Sequence, residues 1–392
     1  MTTTEHSSSP LRRSDLIQYS IDLIFDNQAP TGAYPASPSY ATYQYGWLRD
    51  GAFIAYAMDL VGHHDSAHRF HLWAADAILR HQHKVDRLET LGIAKAQPLS
   101  NQDALHTRYT IDGVEVDGEW GSFQLDGYGF WLSSLAHHAT THDSGSEDLL
   151  EAAKTVIRYL NLTWDMPCYD CWEEYPTKRH STTWASIAGG LLNVADAFDH
   201  RAAGEIGQVI TERLHDTADN DIIRKFVDSR SQTPEDKRDS SGPSAIAGHE
   251  RTGKPLSSDA VDASILLTLE EFGPFPADDP LVTTTLKEVA SALVTDGGVH
   301  RYRDDEFYGG GQWPVLAGAY AALSQVEPSA RQGAIRWIEA QADQNGNLPE
   351  QSPTHLRNPE YLEPWVDRWG PVAKPLLWSH AMYVIATCET WK

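Results

Sequence analysis

The sequence predicts an all-α fold in which twelve helices close into an (α/α)6 barrel, two concentric layers with the active site in loops at one mouth. Three observations predict it. Apolar residues recur with a helical period along most of the chain. Few segments alternate with period two. The stretches richest in acid, arginine and tryptophan fall just before every second helix, and in helices of alternating direction those connections share one end of the bundle.

In chain order, the first helix is expected over 10–27 and the second over 51–61, preceded by "YQYGWLRDG" (43–51). The third (64–83) and fourth (127–142) enclose "RYTIDGVEV" (108–116), which is split by Asp112-Gly113 and reads as a hairpin. "EWGSFQLDG" (119–127) leads into the fourth. The fifth (146–161) shows the pattern most plainly: Ser146 as N-cap, then Leu149, Leu150, Ala153, Val156, Ile157 and Leu160 on one stripe. "CWEEYP" (171–176) precedes the sixth (182–199), and the seventh follows over 201–219. Residues 228–257 are polar without helical period and read as a long loop, a feature often functional in a compact domain. "SSDAVDAS" (257–264) leads into the eighth (259–272), and the ninth spans 279–296. "RYRDDEFYGGGQW" (301–313) precedes the tenth (313–325), and "GNLPEQ" (346–351) separates the eleventh (328–344) from the twelfth (375–391). The whole chain, 1–392, reads as a single catalytic domain with roughly its first nine residues disordered.

Composition narrows the partners. A formal net charge of −24 argues against nucleic acid, anionic membranes and polyanionic substrates, and favours a neutral small molecule. Thirteen Trp and sixteen Tyr supply flat apolar platforms with polar edges, suited to the faces of sugar rings as well as to core packing. No apolar leader, no membrane-length apolar stretch and an odd count of three cysteines point to the cytoplasm. The oligomeric state is open, and a monomer is compatible with everything in the sequence.

The adjacent Glu173 and Glu174 after Trp172 carry the chemistry best. A carboxyl against an indole, beside a second carboxylate, is driven toward its neutral form. A proton held near neutral pH is what a general acid needs to protonate a glycosidic oxygen. Hydrolysis of a glycoside requires a second carboxyl, and Glu350 stands in the same set of loops. Arg49 and Asp50, beside Trp47 and Tyr45, can present several hydrogen-bonding atoms to vicinal hydroxyls.

"YGWLRD", "GEWGSFQLDGYG", "CWEE", "VDAS", "RYRDDEFYGGGQW", "LPEQ" and "PLLWSHAMY" (375–383) occur in the order and with the spacing of the glucoamylase family, glycoside hydrolase family 15. The chain resembles that family from about residue 10 onward. The resemblance implies an (α/α)6 barrel and an inverting, exo-acting hydrolase releasing β-D-glucose from α-glucosides, without cofactor or metal. By motif, Glu173 resembles the general acid and Glu350 the general base. Asp50 and Arg49 match the pair gripping the non-reducing glucose, and Arg301 and Glu174 match residues touching that ring or the next. Trp120 and Asp126 occupy the WG…LDG motif, with the tryptophan near the acid. Tyr45, Trp47, Trp172, Tyr308 and Trp313 complete the expected sugar-binding walls.

The chain lacks the β-sandwich and starch-binding domains common in the family, and in compactness it is similar to members that act on α-1,6 links such as isomaltose. Trp120 and the "YLEPWVDRW" loop (361–369) are candidates to hold the leaving sugar. Trehalose hydrolysis, maltooligosaccharide hydrolysis and non-catalytic sugar binding are the alternatives; retention of both Glu173 and Glu350 argues against the last. Cys168 and Cys171 give too few ligands for a structural zinc. His137, His138 and His142 lack the glutamate of a zinc-protease helix and read as surface histidines.

Overall fold

The computed structural model describes residues 12–92, 97–116, 118, 120–142, 146–227 and 260–388. The expected N-terminal disorder and the 228–257 loop lie outside the described residues. The first helices are α1 (Arg13–Asp26), α2 (Leu48–Leu60), α3 (His64–Arg80), α4 (Gln82–Leu91), α5 (Asp126–His142), α6 (Glu147–Thr163) and α7 (Ser181–Phe198). Then follow α8 (Arg201–Thr217), α9 (Pro280–Leu293), α10 (Pro314–Ala322), α11 (Pro328–Gln341), α12 (Leu362–Trp369) and α13 (Leu377–Thr387).

Six elements form a closed inner ring. α2 packs on α5, α5 on α7, α7 on a 3-10 helix at Ala263–Thr268, that helix on α10, α10 on α13, and α13 back on α2. The outer helices α1, α3, α6, α8, α9 and α11 lie against this ring and follow it in sequence alternation. This is the (α/α)6 barrel expected from the helical count and the spacing of the loops.

The two layers follow from two kinds of sequence. Inner helices are buried all round: every residue of α2 from Leu48 to Asp59, and of α10 from Pro314 to Ala321, is buried. Outer helices are amphipathic. In α6, Leu149, Ala153, Val156, Ile157 and Leu160 are buried, and the Ser146 hydroxyl accepts from the Leu149 N–H at 3.3 Å, as an N-cap does. Proline begins α9, α10 and α11, where its missing N–H has no intrahelical partner to lose.

Two glycines let the inner helices α5 and α7 touch backbone to backbone. A Cβ on Gly129 would lie 2.4 Å from the Ser186 carbonyl oxygen, and one on Gly190 only 2.3 Å from that of Gly129. Aromatic side chains meet across the inside of the ring. Phe53 meets Phe130, Phe272 and Trp378 at ring distances of 4.9, 4.6 and 5.6 Å, forming an aromatic plug.

The structure corrects four sequence expectations. The eighth helix is the short 3-10 turn Ala263–Thr268, started by Asp262, whose side chain accepts from Ser264 N–H at 2.9 Å. The third helix ends at Arg80; the chain turns at His81 and continues as α4 until Gly92, at φ 71°. The 108–116 segment forms its Asp112-Gly113 turn, but its strand Arg108–Tyr109 pairs with Gly46–Trp47, and only Tyr109 bridges to Glu115. Register there is set by the burial of Trp47 and Tyr109, not by the local turn. Finally, His138 is buried, 1% exposed, because it faces Asp59 of the neighbouring α2. No described helix is long and apolar enough to cross a membrane.

Candidate active site

Each inner helix begins at the same end of the ring, and the loops that enter them surround a cavity open at that mouth. Its wall comprises Tyr43, Trp47, Arg49 and Asp50 at the start of α2, Trp172 and Glu173 before α7, and Arg301, Phe307 and Trp313 before α10. Glu350, Leu376 and Trp378, near the start of α13, complete it. Segments more than 300 residues apart in sequence meet because alternation brings their loops to one mouth.

The two adjacent glutamates do not share a direction. Glu173 has φ 65°, a left-handed conformation uncommon for a residue with a side chain. The Asp170 carboxylate fixes the turn by accepting from the N–H groups of Trp172 at 3.0 Å and Glu174 at 2.8 Å. Glu173 therefore points at the cavity, where the indole N–H of Trp47 donates to Oε1 at 2.9 Å and Arg49 approaches to 3.8 Å. Glu174 turns behind it, accepting from the Tyr302 hydroxyl and from Arg301 at 3.4 Å.

Asp170 is held by a buried ionic cluster. Lys225 donates to Asp170 at 2.8 Å and also to Asp262. Asp262 in turn accepts the indole N–H of Trp172 at 2.9 Å. Burial would raise the Asp170 carboxyl, but Lys225 and His180 beside it hold it below its ordinary value. Burial would likewise lower the Lys225 ammonium, and Asp170 and Asp262 outweigh it and raise it. Breaking one member would leave an uncompensated buried charge.

Arg49 occupies the base of the cavity, donating to Gln124 at 3.1 Å and Asp126 at 3.0 Å and stacking on Trp378 at 5.8 Å. Arg301 is clamped by Asp305 at 2.8 Å and sits over Trp172 and Trp313 at 5.1 and 5.3 Å. These pairings leave Asp50 and Glu350 as buried carboxyls with little compensation. Burial pushes Asp50 up to about 7 against the pull of Arg49. Burial pushes Glu350 up to about 8, while a hydrogen bond from Tyr43 at 3.1 Å and the charge of Arg301 draw it down. The Glu350 loop is fixed by α13: Ser379 donates to the Pro349 carbonyl at 2.7 Å, and His380 accepts from Leu348 N–H at 3.0 Å.

Of the residues singled out from sequence, Trp47, Arg49, Asp50, Trp172, Glu173, Arg301, Trp313 and Glu350 line the cavity. Asp126 and Glu174 do not; they stand behind it as the partners of Arg49 and Arg301. Tyr45 and Trp120 flank Arg108, whose guanidinium lies 4.6 and 3.8 Å from their rings beside Trp47. Tyr308, at φ 45°, donates to the Gly370 carbonyl at 3.0 Å and packs on Trp365. The 361–369 segment, expected as a loop, is mainly the helix α12, with Trp365 buried against Phe307 and Tyr308.

Sequence reasoning missed Tyr43, Arg108, Asp170, Lys225, Tyr302, Asp305 and Trp378. Tyr43, Tyr302, Asp305 and Trp378 lie inside quoted motifs, so their position was signalled although their contacts were not. Lys225 carried no signal, since its partners are 55 and 37 residues away. Cys168 and Cys171 are buried and free, and His180 bonds the backbone carbonyls of Cys168 and Tyr175 at 2.9 and 3.1 Å.

Residues 12–344 match the family described as Glycosyl hydrolases family 15. An isomaltose glucohydrolase of Kribbella flavida is 38% identical over 382 residues, covering 96% of this chain and 93% of that protein. A glycosidase solved in complex with glucose is 36% identical and superposes with a TM-score of 0.82, covering 95% of each chain. A trehalase of Mycolicibacterium smegmatis is 25% identical over 71% of this chain but only 40% of its own length. With an (α/α)6 ring, a carboxyl-lined cavity at its mouth and these similarities, the chain is a glycoside hydrolase and belongs to glycosyl hydrolases family 15.

Proposed function

We propose that the chain is an inverting exo-α-glucosidase that releases β-D-glucose from isomaltose and short isomalto-oligosaccharides. The observation that carries this reading is the meeting of Glu173 and Glu350 on one cavity whose base holds Arg49 and Asp50. The name and near full-length identity of the Kribbella flavida relative support the α-1,6 linkage.

In this reading Glu173 is the general acid. An indole N–H can only donate, so Trp47 fixes Oε1 as an acceptor and leaves the transferable proton to Oε2. Glu350 is the general base. A carboxyl raised to about 8 by burial is a strong proton acceptor once ionised. Asp50 and Arg49 grip the hydroxyls of the terminal glucose, and Trp172 and Trp313 offer faces to the sugar. Glu174 and Asp126 act through Arg301 and Arg49, which they orient. Trp47, Trp120 and Tyr45 form a wall around Arg108 for the leaving sugar.

The test compares kcat/KM for isomaltose, maltose, trehalose and dextran on purified enzyme, with proton NMR of the first product. Isomaltose should lead and β-glucose should appear first. A tenfold advantage for maltose or trehalose, about 1.4 kcal/mol in transition-state binding, would overturn the linkage. An initial α-anomer would overturn the inverting mechanism.

A further inference from the structure

The far end of α2 carries a second cluster of chemistry. Asp59, nine residues beyond Asp50 and so about 14 Å further along the helix, buries its carboxylate among imidazoles. His138 on α5 approaches its oxygens at 2.9 and 3.1 Å, His64 on α3 at 3.2 Å, and His142 on α5 at 3.5 Å. His68 on α3 meets His138 from behind, Nδ1 to Nε2, at 3.2 Å.

His71, also on α3, is the anomaly. It is fully buried, and neither ring nitrogen has a hydrogen-bond partner among the described residues. A buried polar group left unpaired costs about 1–3 kcal/mol. Yet one of its nitrogens lies within 4.8 Å of ligand atoms of both Asp59 and His138. A cation between the three would use the lone pair that nothing else uses.

We infer that Asp59, His71 and His138 form a structural site for one divalent d-block cation of the zinc class. Two imidazoles and a carboxylate are a donor set that zinc accepts, and all three residues are buried. Bonds of about 2.0–2.1 Å put tetrahedral ligand atoms roughly 3.3 Å apart, so modest side-chain rotation closes the present spacing. His71 is fully buried, which favours the neutral imidazole that ligates. His68 supplies the outer partner that fixes the His138 ring. His64, whose side chain is 42% exposed, and His142 both approach Asp59 Oδ1, at 3.2 and 3.5 Å. The cation would tie α2 and α5 of the inner ring to α3 of the outer one, at the end remote from the cavity.

Untagged, chelator-stripped enzyme titrated with zinc chloride should take up one ion per chain by calorimetry. At a thousandfold excess over Kd its melting temperature should rise by about 5 °C, and cobalt(II) should give the visible absorption of a tetrahedral site. His71→Leu should abolish the heat and the melting shift while the stripped variant melts no lower than the stripped parent. His64→Gln should keep one-to-one binding. Absence of zinc uptake by the parent would overturn the inference and leave a hydrogen-bonded histidine cluster; full uptake by a folded His71→Leu would overturn it too. Isomaltose hydrolysis should be the same with and without the ion, so this result and the hydrolase reading stand or fall separately.

Discussion

Replacing Glu350 by glutamine should stabilise the fold, and the gain should grow with pH. The carboxyl is pushed from an ordinary 4.5 up to about 8, chiefly by burial, with Asp50 and Glu173 adding to the rise. Between those pH values the unfolded chain has released this proton and the folded chain still holds it. Stability from this group is therefore complete below about 4.5 and declines by about 1.4 kcal/mol per pH unit. The loss reaches about 5 kcal/mol near pH 8 and then levels, because both states are ionised. The amide in Glu350→Gln does not titrate. A chain of 392 residues unfolds with an entropy of about 0.8 kcal/mol/K, so the full gap corresponds to about 6 °C in melting temperature. Calorimetric melts of both proteins from pH 4.5 to 9 measure it. Asp50, pushed up to about 7, titrates in both and largely cancels in the difference. A melting difference independent of pH would refute the reasoning.

Other expectations are more direct. Glu173→Gln should lower turnover of isomaltose by about 10²–10⁴-fold yet spare hydrolysis of α-glucosyl fluoride, whose leaving group needs no proton; steady-state rates on both substrates decide it. Trp47→Phe removes the N–H that Glu173 accepts while keeping an aromatic side chain, and should lower kcat about tenfold, by kinetics on isomaltose. Lys225→Met strands the Asp170 and Asp262 carboxylates and should cost about 3–5 kcal/mol in denaturant unfolding at pH 7. Gly129→Ala drives a methyl group into the Ser186 carbonyl; the α5–α7 crossing should lose about 1–3 kcal/mol or more, read as a lower midpoint in urea.

The ring was legible because two local signals agreed. Helical periodicity counted the elements, and the alternation of aromatic-acid loops gave their direction. What escaped was set by packing. The 259–272 stretch is apolar enough for a helix, but between α7 and α10 it closes the ring with a short 3-10 turn. Within the site, the order of Trp172, Glu173 and Glu174 announced two carboxyls in a loop. It could not announce that the left-handed φ at Glu173 sends them apart. Glu174 and Asp126 read as sugar contacts because motifs report a neighbourhood; burial behind arginines is a three-dimensional fact. His138 read as a surface residue because its periodicity says nothing about Asp59 on another helix.

The stack of Phe53, Phe130, Phe272 and Trp378 beneath the cavity has a kinetic consequence. It stands between the cavity and the far side of the ring. Among the described residues, a glucosyl unit that reaches Arg49 and Asp50 meets this stack behind it, and whatever is attached to it points back toward the mouth. After cleavage the outer fragment must back out before the glucose behind it can follow, so nothing can thread forward for a second cut. Each bond broken empties the enzyme, and the chain lengths of a digest should shorten in step across the whole population. Free glucose, queuing at the same door, competes with every substrate molecule that approaches.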